Sequence, residues 1–194
     1  MVKIANEFAA NKPNLLVIHE ARKGKGLAVK RGVLSAHGEY RFICDTDLSM
    51  PIEEVLKFFP PGLDDFDIAI GSREALGSVR YDEPSYRHWG GRLINLLIRV
   101  LILPGFQDTQ CGFKCFRADA TRQIFEQQTL TGWSFDIELL YLARKRNLRI
   151  KEVPINWYFD ADSKVSAVPD ALKMAGDIFR IHINSIRGRY DLNP

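Results

Sequence analysis

Histidine and cysteine are both scarce in this chain, with four and three among 194 residues. Cys44, Cys111 and Cys115 are too few, and odd in number, for a disulfide framework, so a reducing compartment is expected. Cys111 and Cys115 stand as C-x-x-x-C without a nearby histidine, and His19, His37, His88 and His182 are scattered, which argues against zinc. The most apolar run, residues 93–103 (LINLLIRVLIL), is broken by Arg99, closed by Pro104-Gly105 and too short to span a bilayer. Residues 1–20 carry Lys3, Glu7 and Lys12 and no unbroken apolar stretch, so no signal peptide is expected. Neither sign of charge dominates. With 27 basic and 24 acidic residues the net charge is +3, and no nucleic-acid recognition motif accompanies it, so nucleic acid is not an expected partner. Internal repeats, low-complexity segments, a Walker A loop and a G-x-G-x-x-G fingerprint are all missing.

What remains is the composition of an ordinary globular chain, 46% hydrophobic and 26% charged, read as one domain over residues 1–194. The pattern predicts helices over residues 2–11, 25–36, 52–59, 86–103, 118–127, 135–146 and 169–187. Strands are expected at 15–19 (LLVIH), 40–45 (YRFICD), 66–71 (FDIAIG), 110–116 and 149–159, the last with a proline that suggests an edge or a bulge. Residues 74–84 read as a mobile loop. Short apolar strands alternating with helices predict an α/β layered fold with a mainly parallel sheet, whose ligands sit beyond the carboxyl ends of the strands.

Four clusters carry chemistry at such positions. The strand YRFIC ends on Asp45-Thr46-Asp47, two carboxylates that could share a divalent cation such as Mg²⁺ or Mn²⁺, or simply form a solvated turn. Arg22-Lys23-Gly24-Lys25-Gly26 lies between a strand and a helix, as an anion cradle or as a basic turn. Asp108-Thr109-Gln110-Cys111-Gly112-Phe113-Lys114 sets an acid and a cation around a glycine. In Gly132-Trp133-Ser134-Phe135-Asp136-Ile137-Glu138, Ser134 can cap a helix whose first turns hold two acids, a placement that the helix dipole also favours without any catalysis. Aromatic flanks there suggest a pocket wall. Asp160, Asp162, Ser163 and Lys164 follow the last strand.

In this order the motifs RKGKGLAVKRG, CDTDLS, IAIGSR, DTQCGFKCF, WSFDIELLYLA and EVPINWYFDADSKV resemble the family-2 glycosyltransferases of the GT-A fold. They are most similar to the branch that makes polyprenyl- or dolichyl-phosphate sugars, and the resemblance runs from about residue 14 onward. It implies a GT-A-like, Rossmann-type αβα sandwich. It further implies that Asp45 and Asp47 hold Mg²⁺ or Mn²⁺ on a donor diphosphate, and that Arg22, Lys25, Asp45, Arg73, Lys114, Ser163 and Lys164 line the donor and its phosphates. Asp108 matches the acid proposed as catalytic base, and Asp136 and Glu138 match the acidic segment near the acceptor. The implied reaction is inverting transfer of a hexosyl group from a nucleotide sugar, UDP-glucose, to polyprenyl or dolichyl phosphate. GDP-mannose as donor, or a non-catalytic fragment that binds phosphates or lipid headgroups, are the alternatives.

One departure bears on this. The family's first apolar strand, its P-x-Y-N-E segment and its D-D-G-S strand end do not occur here, so the sheet is expected to lack its first strands. The acceptor is met at a bilayer, and residues 93–103 with Arg87, Arg92 and Arg99 suit either an interfacial helix or a core helix. The expected location is peripheral, at the cytoplasmic face of a membrane.

Overall fold

The computed structural model describes residues 2–47, 49–160 and 167–191, and for residues 85–91, 93 and 167–170 it describes the backbone alone. Six helices and six strands follow one another as α1 (Val2–Ala9), α2 (Lys25–Ser35), β1 (Tyr40–Ile43), β2 (Ile68–Ser72), β3 (Val79–Tyr81), α3 (Ser85–Leu101), β4 (Lys114–Arg117), α4 (Ala118–Gln127), α5 (Phe135–Lys145), β5 (Ile150–Pro154), β6 (Asn156–Tyr158) and α6 (Ala167–Ile186). A 3₁₀ helix, Ile52–Phe58, stands behind Pro51.

The main sheet has the order β1-β4-β2-β5. β1, β2 and β5 point the same way. β4 runs against them and lies between β1 and β2, so those two ladders are antiparallel while β2 and β5 pair in parallel. The interior strand β2 (IAIGS) is buried at every residue, as a strand covered on both faces and both edges must be. β5 is one of the two edge strands, β1 being the other, and Pro154, which has no N–H to donate, is its last residue.

Side chains alternate across the sheet and separate two cores. On one face Ile43, Ile68, Ile70, Phe116 and Ile150 meet α2 to α6 through residues such as Val33, Ile98, Ile124, Phe135 and Ile181. On the other, Phe42, Ala69, Cys115 and Val153 meet Met50, Phe58, Phe59, Phe66 and Trp157. The layers are therefore unequal, with helices on one side and the 3₁₀ helix with its flanking loops on the other.

Several expectations change, and the strand expected over 149–159 divides between β5 in the main sheet and β6 in the second sheet. Residues 15–19 form no strand, and Leu15 and Leu16 are exposed, because an apolar run without a neighbour to complete its ladder gains nothing from being extended. Gln110 to Phe113 is loop, and the strand begins only at Lys114. The supposedly mobile 74–84 segment is tied down. Its β3 pairs in parallel with β6 in a second, two-stranded sheet, and Tyr81 stacks on Tyr158 at 4.4 Å. Arg80 bridges Glu74 and Glu83 within that segment. The segment containing Ser163 and Lys164 lies outside the described residues.

Helix α3 is neither wholly core nor wholly surface. Asn95 and Ile98 are buried, while Leu96, Leu97, Val100 and Leu101 are exposed. It packs on α6, which also buries one side (Ile178, Ile181) and exposes Leu172, Phe179 and Ile186, each seven residues from the next. Among the described residues no helix is long and apolar enough to cross a membrane.

Candidate functional site

Strand β1 delivers Asp45 and Asp47 just beyond its carboxyl end, and the two carboxylates have different surroundings. Asp45 accepts from the Lys25 ammonium at both oxygens, 2.7 Å at Oδ1 and 2.8 Å at Oδ2. Its carboxyl group lies against Gly112, where a Cβ would fall 2.1 Å from Oδ2 and 2.4 Å from Cγ. Only glycine allows that approach. Asp47 Oδ1 accepts from the Ser49 N–H at 3.1 Å, closing a tight turn.

The glycines of the basic loop serve packing. A Cβ on Gly24 would sit 2.4 Å from the Thr131 carbonyl oxygen, and one on Gly26 would sit 2.8 Å from Phe135 Cβ. This close seat of α2 on the 128–135 segment brings Lys25 to Asp45 and to the exposed Trp133, whose ring centre is 4.8 Å from Nζ. Arg22 does not join them. It is exposed and paired with Glu20 at 3.0 Å, which draws the Glu20 carboxyl down to about 2 through that hydrogen bond.

Residues 108–114 form the spine of the site. At one end Glu152 accepts from the backbone N–H groups of Gln107 and Asp108, fixing where the spine begins. Asp108 is fully buried and grips Arg73 in a two-pronged pair, 2.6 Å from Nε and 3.0 Å from the terminal nitrogen. Its oxygens also accept from the backbone N–H groups of Arg73 and Gln110. Burial alone would raise its carboxyl, but the Arg73 charge and these hydrogen bonds outweigh burial and hold it at about 2. A carboxylate so occupied and so weakly basic is a poor proton acceptor, which corrects its expected role as catalytic base. Asp108 is a positioning residue for Arg73. The guanidinium in turn lies 5.6 Å from the ring centre of Trp157, as does that of Arg80.

At the other end of the spine Lys114, expected on the donor phosphates, is buried and engaged within the protein. Its ammonium donates to the Cys111 carbonyl and pairs with Asp136 at 2.9 Å. Burial pushes the Asp136 carboxyl up, Lys114 and Lys25 pull it back, and Asp45 pushes it up again, so Asp136 belongs electrostatically to the Asp45–Lys25 cluster. Glu138 is different. Fully buried, it accepts from Thr129 N–H, Thr129 Oγ1, Leu130 N–H and the Tyr190 hydroxyl. All its lone pairs are taken up in holding the 128–131 turn and the chain near Tyr190, so the expectation that it serves the acceptor is corrected to a structural role.

Trp157 and Glu152 carry no role in the sequence reading, whereas Gly112 reads there only as the glycine between an acid and a cation. Glu152 sits in the quoted EVPINWYF motif, and a lone acid in an edge strand was the available signal.

The donor set fits a divalent cation. Asp45 and Asp47 offer hard oxygen donors, and the described residues hold no cluster of three or more His, Cys, Asp or Glu able to enclose a metal. An ion at Asp45 and Asp47 would take its other ligands from water and substrate phosphates, which is how Mg²⁺ and Mn²⁺ are commonly held.

Residues 1–125 match the family model described as glycosyl transferase family 2. The chain is 32% identical over 200 residues to dolichyl-phosphate beta-glucosyltransferase of Dictyostelium discoideum, covering 96% of this chain and 60% of that protein. It is 31% identical to the enzyme of the same name from Mus musculus, covering 98% of this chain and 61% of the relative. The chain thus spans about three fifths of the length of these relatives. The fold is similar to glucosyl-3-phosphoglycerate synthase from Mycobacterium tuberculosis in complex with Mn²⁺, uridine diphosphate and glucosyl-3-phosphoglycerate, with a TM-score of 0.54 at 16% identity over 91% of this chain and 58% of that one.

Proposed function

The chain belongs to glycosyl transferase family 2, and on that premise we propose that it transfers a glucosyl group from UDP-glucose to a polyprenyl or dolichyl phosphate with inversion at the anomeric carbon. The observation that carries this reading is the convergence of Asp45, Lys25, Trp133 and the Lys114–Asp136 pair beyond the end of β1. The names of the relatives support the sugar and the acceptor class.

An oxygen of the acceptor phosphate attacks the anomeric carbon as the bond to the donor diphosphate breaks, and a nucleoside diphosphate leaves. Asp45 and Asp47 would hold a divalent ion, which would supply positive charge to offset that of the leaving group. Lys25 adds a second positive charge beside it. Arg73, held rigid by Asp108, is the arginine expected near the phosphates. A phosphate monoester has its second pKa near about 6 and is already ionised at neutral pH, so the acceptor needs no strong base. That agrees with an Asp108 whose oxygens are engaged by Arg73 and by backbone N–H groups. Asp136 then orients the acceptor and tunes the field around it.

Calorimetric titration with UDP-glucose in Mn²⁺ should give saturable binding that EDTA abolishes. GDP-mannose should compete poorly; preferential binding of GDP-mannose would reassign the sugar, and no binding of either nucleotide sugar would remove the donor site from this span.

We further propose that the protein works peripherally, at the cytoplasmic face of a membrane. The exposed apolar faces of the packed helices α3 and α6, with Arg92 and Arg99 exposed on α3, have the composition of an interfacial surface. The chain should float with anionic liposomes at low salt, and Leu97→Glu/Val100→Glu should leave it at the bottom. A wild-type chain that does not float would return these faces to packing.

A further inference from the structure

The place on Asp45 that a divalent cation needs is filled by a cation of the protein's own. The Lys25 ammonium lies nearly equidistant from both oxygens, at 2.7 and 2.8 Å, and the Gly112 Cα closes in on the same carboxyl group. Lone pairs engaged with an ammonium are not open to a metal. Both side chains are only partly exposed, 21% for Lys25 and 27% for Asp45, so solvent weakens the pair less than it would a surface pair. Lys25 also has a second holder, the face of Trp133.

We propose that Lys25 is an exchangeable counter-ion. It neutralises Asp45 in the donor-free protein, yields that carboxylate when metal and diphosphate arrive together, and transfers its charge to the diphosphate. This rests on the donor reading given above. Charge balance drives the exchange. Metal alone would set two positive charges beside Lys25 with Asp45, Asp47 and an Asp136 already paired with Lys114 to offset them, whereas metal with a diphosphate brings its own negative charge and gives the displaced ammonium a new partner. The flexible stem of a lysine allows the move without a backbone shift. The protein therefore takes metal weakly by itself and strongly with nucleotide, and by linkage each raises the affinity for the other by the same factor.

The test is the affinity for Mn²⁺, read from the paramagnetic resonance signal of the free ion, with and without UDP. Lys25→Met should bind Mn²⁺ alone about tenfold more tightly than wild type, because a competing unit charge in direct contact with the carboxylate has gone. The same variant should bind UDP in saturating Mn²⁺ at least about tenfold more weakly, because a charge-assisted contact to phosphate is lost. Lys25→Arg, which keeps the charge, should keep the weak Mn²⁺ binding of wild type and shows that the loop still folds around a long cation. Opposite movement of the two affinities is the signature, since a lysine that merely supported the loop would weaken both. Mn²⁺ alone binding to Lys25→Met no more tightly than to wild type overturns the exchange. If wild type binds Mn²⁺ with UDP in that same experiment, the donor reading survives; if wild type binds Mn²⁺ under neither condition, both fall.

Discussion

Asp47→Asn is expected to lower glucosyl transfer by roughly 10³-fold, the scale seen when a group that stabilises developing charge is removed. The substitution is chosen for what it preserves. Asn keeps the side-chain oxygen that accepts from the Ser49 N–H at 3.1 Å, so the turn after β1 stays closed. It also leaves Lys25 on Asp45. What it removes is one negative charge from the pair that would hold a cation. The melting temperature should therefore stay within about 2 °C of wild type, as for a surface change away from buried features. Transfer is measured from UDP-glucose to a short polyprenyl phosphate, with thermal melts run in parallel. Undiminished transfer by a well-folded variant sinks the assignment of Asp47 to the metal.

The second large effect is on stability. Arg73→Met strips the Asp108 carboxylate of its counter-charge while leaving it fully buried. Breaking a buried pair by removing one partner costs about 3–5 kcal/mol. In a chain of this size each kcal/mol moves the midpoint by about 2–4 °C, so a drop of roughly 6–20 °C is expected. Arg73→Met/Asp108→Leu should recover most of it, because the uncompensated charge goes too. A single variant that melts with the wild type would mean that Asp108 finds other compensation. The pair also has a pH signature. Burial favours the neutral acid, but Arg73 prevails and the folded carboxyl lies at about 2, below its value of 3.8 in the absence of the fold. Its contribution is complete above about pH 4 and disappears as the pH falls through about 2. Melts between those limits should decline more steeply in wild type than in the double variant.

Most of the helices were legible because their apolar periodicity is strong, and the chemistry-bearing motifs were legible as motifs. The placement of their side chains was not. Asp136 and Glu138 are two residues apart on α5 and look equivalent in the string WSFDIE, yet the helix turns them to different neighbours. Asp136 reaches Lys114 in the spine, while Glu138 reaches Thr129, Leu130 and Tyr190. Lys114, expected beside the donor phosphates, is buried instead, because the acid that pairs with it lies 22 positions further along the chain. The reversal of β4 was hidden for a related reason. A strand of four residues carries no mark of its direction, which its ladders with β1 and β2 set. Residues 79–81 and 156–158 were too short to read as partners, and the Tyr81–Tyr158 stack that joins them is visible only after the chain has folded.

The spine from Asp108 to Lys114 has a meaning for how such a chain can change. Its first residue is held by Arg73 and by Glu152, Gly112 touches Asp45, and Lys114 meets Asp136. Those attachments come from separate elements, and the spacing among them is set only by the number of residues along the spine. A single insertion or deletion between Asp108 and Lys114 would put at least one attachment out of step with the others, whatever residue was added or lost. The stretch is therefore expected to tolerate no change of length, over and above the demands on side chain at Asp108, Gly112 and Lys114. In a chimera it would have to be transplanted as one cassette together with the residues that grip it.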